Sequence, residues 1–261
     1  MPERAALKIG WPKLGAEGLI IIVSILLAFA VEEWRDERSD RELEREYLTR
    51  VLDDLETNGA RLQRQRRSDQ TKVANARAVY ALVNRGQMGG LSEKSAVLHS
   101  YFATPSGTPT WINDTFEELK STGRLSLIRS AEIRRELSAY YRFVEDEDWV
   151  YRLMSMTYRD SIRAKMDPDL QLQIREKCNL YDATKIDAVQ YGFDADAENC
   201  TVDIADFDVE AYLAWFADNQ ELADGLRRII SQWTRAEQEY LPVVEQRTNQ
   251  LQQLIEAELE R

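Results

Sequence analysis

The chain has 261 residues, of which 44% are hydrophobic and 31% charged, and its formal net charge is -12. With only 11 glycines and 6 prolines, long stretches lack helix breakers, which favours helices over a many-stranded sheet. Eleven acidic residues and no Lys or Arg lie between Ile186 and Leu226. Such a surface repels phosphate backbones, so nucleic-acid binding is not expected.

The first predicted element is an uncharged apolar segment at residues 19–31. Together with Gly18 it would form a helix about 21 Å long, shorter than the ~30 Å hydrocarbon core of a bilayer. Trp11 and Trp34 bracket it about 34 Å apart, which suits aromatic rings at the two membrane interfaces. The pattern predicts a transmembrane anchor whose partner is membrane lipid.

Two other interpretations of this segment are open. One is a cleaved signal peptide, because Arg4, Lys8 and Lys13 precede the segment and residues 28–30, Ala-Phe-Ala, fit the cleavage pattern after Ala30. The other is a core helix of a soluble protein, although such a helix seldom has so pure an apolar run beside a highly charged one. The charged sequence after residue 31 resembles a helix continuing out of the membrane, which favours an uncleaved anchor.

Two opposing signals bear on the side of the membrane that holds the following domain. Three Lys or Arg residues precede the segment and five follow it closely, and the positive-inside rule then keeps the domain in the cytoplasm. Cys178 and Cys200 could instead pair outside the cytoplasm, where the bond would contribute ~3 kcal/mol. Two buried free thiols are the alternative. We expect the domain to lie outside the cytoplasm.

The amphipathic pattern of the domain begins after a stalk at residues 32–42, in which Trp34 is the only apolar residue. Apolar residues then recur at spacings of three, four and seven, at Leu48, Val51, Leu55 and Leu62. This face is interrupted at Asn58 and by a basic group at residues 61–67. It is typical of a bundle or a coiled coil, and it predicts a surface for self-association.

Further amphipathic helices follow in chain order. A short helix is predicted at residues 95–102, and a long one starts at Ser130 and ends before Pro168. The last runs from about residue 222 nearly to the C-terminus, with a kink at Pro242. Three or four long helices with short satellites make an all-α bundle.

The predicted organisation has four parts. Residues 1–18 form a short tail, residues 19–34 the anchor, and residues 35–261 the extramembrane helical domain. An acidic, loop-rich insertion is predicted within that domain at about residues 168–208.

No catalytic, cofactor or metal site is predicted. His99 is the only histidine, which excludes His-rich zinc sites, and a lone histidine in a short apolar helix is expected to be structural. The sequence contains no nucleophile elbow, phosphate-binding loop or dinucleotide fingerprint. Asp194, Asp196 and Glu198 begin like a calcium loop, but the sixth position of that loop is Asn199 rather than glycine.

The densest aromatic stretch includes Tyr140, Tyr141, Trp149 and Tyr158. Such residues could line a ligand pocket between helices, although they more often form bundle core with their hydroxyls at its edge. An open cavity around them would favour ligand sensing. An exposed apolar stripe on the first or last helix would favour association.

Two parts of the sequence carry a family resemblance. They are EGLIIIVSILLAFAVEEW at residues 17–34 with YLTRVLDDL at 47–55, and FEELKSTGRLSLI at 116–128 with residues 133–141 after it. Together these segments, about a fifth of the chain, resemble a family of bacterial single-pass membrane proteins classed as a domain of unknown function. Members usually carry Asn where this chain has Val-Glu-Glu at residues 31–33. The resemblance implies an uncleaved anchor and supplies no activity.

The leading expectation is a non-enzymatic, membrane-tethered helical module that binds a protein partner or a second copy of itself. A ligand-sensing bundle that signals through a partner is the alternative, and a metal-dependent enzyme is third. The expected location is the bacterial inner membrane, with a single pass and the domain in the periplasm.

Overall fold

The computed structural model describes residues 11–104, 111–153, 156–178 and 197–261, and all regular structure within them is helical. The helices are α1 (Trp11–Arg85), α2 (Glu93–Phe102), α3 (Asp114–Ser121), α4 (Ala131–Leu153), α5 (Met156–Lys165), α6 (Pro168–Lys177), α7 (Val209–Ala217), α8 (Gln220–Arg235) and α9 (Leu241–Leu259). A 3₁₀ turn spans Arg124–Leu127, and a π-turn spans Ala236–Tyr240. The all-α prediction is confirmed for this part of the chain.

Helix α1 is a single element of 75 residues. It contains the apolar segment, the stalk and a core-forming part without a break, because no glycine or proline occurs between Gly18 and Gly59. It ends at Arg85, and Gly86 follows with a φ of 64°. This left-handed backbone ends helices readily at glycine, which has no Cβ to clash.

A second long element runs antiparallel to α1 and consists of α8, the π-turn and α9. Arg45 Nη2 donates to the carbonyl of Leu259 at 2.6 Å, and Arg66 Nη2 lies 2.7 Å from Glu245 Oε2. As residue numbers rise along α1, those of its partners therefore fall.

A π-turn lies just before Pro242, where the sequence predicts a kink. The N–H of Leu241 donates to the carbonyl of Ala236, five residues earlier, rather than to the residue four earlier. Proline lacks an N–H, and its ring crowds the carbonyl four positions back, so the helix widens at this point.

Helix α4 is the third long element and packs against α9. Its start is fixed near the stalk, because the N–H of Arg129 donates to Glu44 at 2.6 Å. Ser130 caps the helix as predicted, accepting from the N–H of Ile133 at 3.2 Å. These three long elements form the bundle, and the shorter helices surround it.

In the stretch from residue 130 to 167, where one long helix is predicted, α4 ends at Leu153 and α5 begins at Met156, and residues 154–155 lie outside the described residues. Helix α4 packs against α9, whereas α5 packs against α8 and α2. One prediction about the middle of the chain is corrected. The start of the predicted loop-rich insertion is helix α6. Asp167 accepts from the N–H of Asp169 at 2.8 Å and Pro168 opens the helix, where its missing N–H costs nothing. Residues 179–196 of the insertion lie outside the described residues.

Candidate functional site

The predicted anchor is the most exposed apolar surface on the described chain. Its large apolar side chains at residues 19–31 are 46–65% exposed, and Trp34 is 62% exposed. The guanidinium of Arg38 lies 6.0 Å from the Trp34 ring. The side chain of Trp11 is outside the described residues. Among the described residues, no helix has both the length and the apolar character needed to cross a membrane.

The face predicted for self-association lies inside the domain, and that prediction is corrected. Its four residues are each at most 1% exposed: Leu48, Val51, Leu55 and Leu62. The partners of Arg45 and Arg66 lie on α9, which therefore runs along this part of α1. These side chains form the core of the bundle and offer no free surface to a second copy.

The same face is not interrupted as predicted, because polar residues belong to it. Spacings of three and four lead from Leu62 through Gln65, Asp69 and Lys72 to apolar residues at 76, 79 and 83. Asn58, Asp69 and Lys72 are at most 1% exposed. Their spacing of three and four residues indicated that they lie on the core face, but their polar character suggested a solvent-facing position. Polar residues at such core positions fix the register of packed helices at some cost in stability.

Asp69 and Lys72 form an ion pair in the core. Lys72 Nζ lies 3.1 Å from Asp69 Oδ1, and both side chains are at most 1% exposed. Gln65 Nε2 also donates to Asp69 Oδ1, at 2.6 Å. Across the interface, Lys72 Nζ lies 4.4 Å from the centre of the Trp233 ring of α8, a cation–π arrangement. Asp69 Oδ2 has no hydrogen-bond partner within the described part of the chain.

Burial dominates the electrostatics of this pair. It raises the pKa of Asp69 from 3.8 to about 6, against the opposing effects of the Lys72 charge and of the hydrogen bonds from Lys72 and Gln65. The carboxylate of Glu237, in the π-turn, adds to the increase. A buried group that titrates close to neutrality is a candidate functional group with a physical basis. We call Gln65, Asp69, Lys72 and Trp233 the polar layer.

The predicted pocket aromatics are core residues in two separate places. Tyr141 stacks on Phe116 of α3 with ring centres 4.7 Å apart, and Tyr140 packs edge-on against Tyr141. Tyr158 lies in α5, and its hydroxyl donates to the carbonyl of Ser100 in α2 at 3.0 Å. All three tyrosines are at most 4% exposed. The side chain of Trp149 is outside the described residues.

A surface groove of about 400 Å³ lies between α4 and α9. Tyr140, Leu251 and Leu254 line its apolar part, and Glu136, Arg247 and Gln250 contribute polar groups. Tyr140 alone of the described pocket aromatics reaches it, so the groove differs from the predicted pocket.

Cys178 and Cys200 are joined in a disulfide, with their Cα atoms 4.6 Å apart. The bond ties the end of α6 to the segment that leads into α7. Both cysteines are at most 5% exposed.

His99 is held between α1 and the segment near this disulfide. Its Nδ1 lies 2.6 Å from Asn75 Oδ1, and its Nε2 lies 3.7 Å from the carboxylate of Glu198. Ser95 Oγ also donates to Glu198, at 2.6 Å. Asp194 and Asp196, of the sequence that begins like a calcium loop, lie outside the described residues. Among the residues that the structure describes, no group of three or more His, Cys, Asp or Glu side chains could hold a metal ion.

The chain matches no protein-family model, and no curated protein or solved structure shows significant similarity to it.

Proposed function

We propose that this chain is a single-pass protein of a bacterial inner membrane whose periplasmic helical domain acts by binding rather than by catalysis. One observation carries the proposal. Helix α1 displays exposed apolar side chains at residues 19–31, while its later part supplies the buried core face of the domain. Apolar side chains all around a helix call for an apolar environment, and lipid supplies one on every side.

The length of the apolar sequence supports the anchor. Helix α1 begins at Trp11, before the exposed segment, and residues 14–18 contain one charge, Glu17. A helix over residues 14–31 would be about 27 Å long, and local thinning of the bilayer accommodates the remaining difference.

The disulfide supports the periplasmic placement of the domain. Disulfides persist in oxidising compartments such as the periplasm and are rare in the cytoplasm. A buried bond between Cys178 and Cys200 is therefore easier to explain for a periplasmic domain.

The binding role rests on the domain's solvent-facing surfaces, since the face at Leu48 to Leu62 is core. Ligand sensing is a second candidate function. It is favoured by the buried charge pair of Asp69 and Lys72, which lies in the same helix as the proposed anchor.

The test is a reporter fusion at Arg261, combined with alkaline extraction and a mass measurement of the membrane fraction. We expect a periplasm-dependent reporter to be active and the uncleaved chain to stay in the membrane pellet. A mature chain that starts at Val31 and leaves the membrane would overturn the anchor. A fusion active only in the cytoplasm would overturn the periplasmic placement.

A matched pair of variants sharpens this test. The double change Ile21→Arg and Leu26→Arg places two charges in the apolar segment, and we expect the chain to leave the pellet because such charges are costly in lipid. Leu172→Arg is the control, because Leu172 is 54% exposed but lies on α6. That variant should stay in the membrane.

A further inference from the structure

The polar layer lies where α1 meets α8 and the π-turn. Asp69 and Lys72 are buried on the core face of α1, and Trp233 of α8 covers the ammonium of Lys72. The π-turn begins three residues after Trp233 and contains Glu237, which accepts a hydrogen bond from Gln70 of α1 at 2.5 Å. A buried charge pair thus adjoins the least regular point of the long α8–α9 element.

We propose that Asp69 is the proton-binding group of a switch at this interface, which closes α8 and the π-turn onto α1 when Asp69 is protonated and loosens them when it ionises.

The direction of the switch follows from which state holds the proton more tightly. In the closed state burial raises the pKa of Asp69 to about 6, whereas 3.8 is its ordinary value in water. An opened interface admits water, so protons favour the closed state between these two values. The opening constant rises about tenfold per pH unit between the two pKa values and levels off above about 6, so between about pH 5 and about pH 7.5 it should rise about tenfold.

The groups that face Asp69 agree with this direction. On its own helix, Lys72 and Gln65 stabilise the ionised carboxylate but do not offset its burial. Across the interface, the π-turn presents the like charge of Glu237, and α8 presents the Trp233 ring to Lys72.

Irregular backbone gives the interface a place to open. π-turns are register defects that helices often use at functional sites, and local opening of one structural unit requires less free energy than global unfolding. The inference goes beyond the proposed function, because it would hold on either side of the membrane.

The experiment measures hydrogen exchange by mass spectrometry on the full chain in detergent, at about pH 5 and about pH 7.5, expressed as protection factors that remove the intrinsic pH dependence. We expect protection in residues 229–240 to be about tenfold lower at the higher pH. Asp69→Asn should remove this difference and keep the high protection at both pH values, because the amide stays neutral and can still accept from Lys72.

Asp53→Asn is the matched control, since Asp53 is an exposed aspartate of α1, and it should retain the wild-type response. Equal wild-type protection at the two pH values would overturn the proposal, as would an undiminished response in Asp69→Asn. Should Asp69→Asn fail to fold, carboxyl-carbon NMR of the wild type decides. A titration midpoint near 6 supports the switch, and one near the ordinary 3.8 refutes it. Failure of the anchor would appear in the fractionation experiment, not here.

Discussion

A β-carbon on Gly225 of α8 would lie 2.9 Å from the β-carbon of Tyr158 in α5. The two helices therefore meet at a point where only glycine fits. The Tyr158 hydroxyl continues the contact to the carbonyl of Ser100 in α2. This crossing holds α5 and α2 against the long α8–α9 element.

Gly225→Ala should destabilise the domain, because the added methyl forces the Tyr158 backbone or side chain to move. Overpacking of this kind costs about 1–3 kcal/mol. Urea unfolding followed by circular dichroism measures the change. Gly59→Ala is the matched control, since nothing lies within 4 Å of a β-carbon there, and it should gain about 0.5–1 kcal/mol from higher helix propensity. Equal effects in the two variants would mean that α5 does not approach α8 this closely.

Asn58→Ala should loosen the segment before α3. Asn58 is fully buried, its Nδ2 donates to the carbonyl of Ile112 at 2.8 Å, and its Oδ1 accepts from the N–H of the same residue at 2.7 Å. Leaving buried polar groups unsatisfied costs about 1–3 kcal/mol, measurable as a lower urea midpoint. Asn84→Ala changes an exposed asparagine of α1 and should stay within about 0.5 kcal/mol of wild type.

Lys72→Met should be strongly destabilising near neutral pH and less so in acid. It leaves Asp69 buried without its counter-charge, which typically costs about 3–5 kcal/mol when one partner of a buried pair is removed. Since the pKa of Asp69 is already raised to about 6 in the fold, acid neutralises the orphaned carboxyl and restores part of the loss. Urea unfolding at about pH 5 and about pH 7.5 gives the loss in free energy of unfolding, relative to wild type, at each pH. An equal loss at both values would show that Asp69 is not the source.

A double variant separates charge from packing at the same place. Asp69→Leu with Lys72→Met replaces both charges by apolar groups, a change that is often neutral or stabilising for buried pairs. It should recover much of the stability lost in Lys72→Met. If stability is not recovered, the aliphatic part of the Lys72 side chain stabilises the fold mainly through packing.

Replacing Cys178 and Cys200 together by serine should lower the free energy of unfolding by about 3 kcal/mol, because the bond closes a loop of 22 residues in the unfolded chain. A reductant should lower the stability of the wild type similarly and leave the variant unchanged. Thiol labelling of unreduced protein taken from cells checks the pairing directly. Free thiols under those conditions would remove the support for a periplasmic domain.

The helical class and several helix ends could be predicted from the sequence because they depend on local signals. Ser130 caps α4 as predicted, through a contact with the N–H of Ile133, three residues later. The packing of α4 against α9 and of α5 against α8 could not be predicted, since these contacts join parts of the chain that are distant in sequence.

The candidate site was missed for a different reason. Hydrophobic periodicity treats a charged residue as solvent-facing, so Asp69 and Lys72 were not assigned to the α1 face. Their burial depends on Trp233, which lies about 160 residues farther along the chain. The spacing of three and four already placed both residues on the core face, and following that spacing regardless of polarity would have found them.

Because the helix between Gly18 and Gly59 is unbroken, a tilt at one end of α1 displaces its other end. From the middle of the apolar segment to Arg85 the arm is about 90 Å long at 1.5 Å per residue, so tilting it by about 10° swings its far end by about 16 Å. If residues 19–31 span a membrane as proposed, the tilt of that segment in the bilayer therefore determines where the distal helices α2 and α7 stand relative to the lipid.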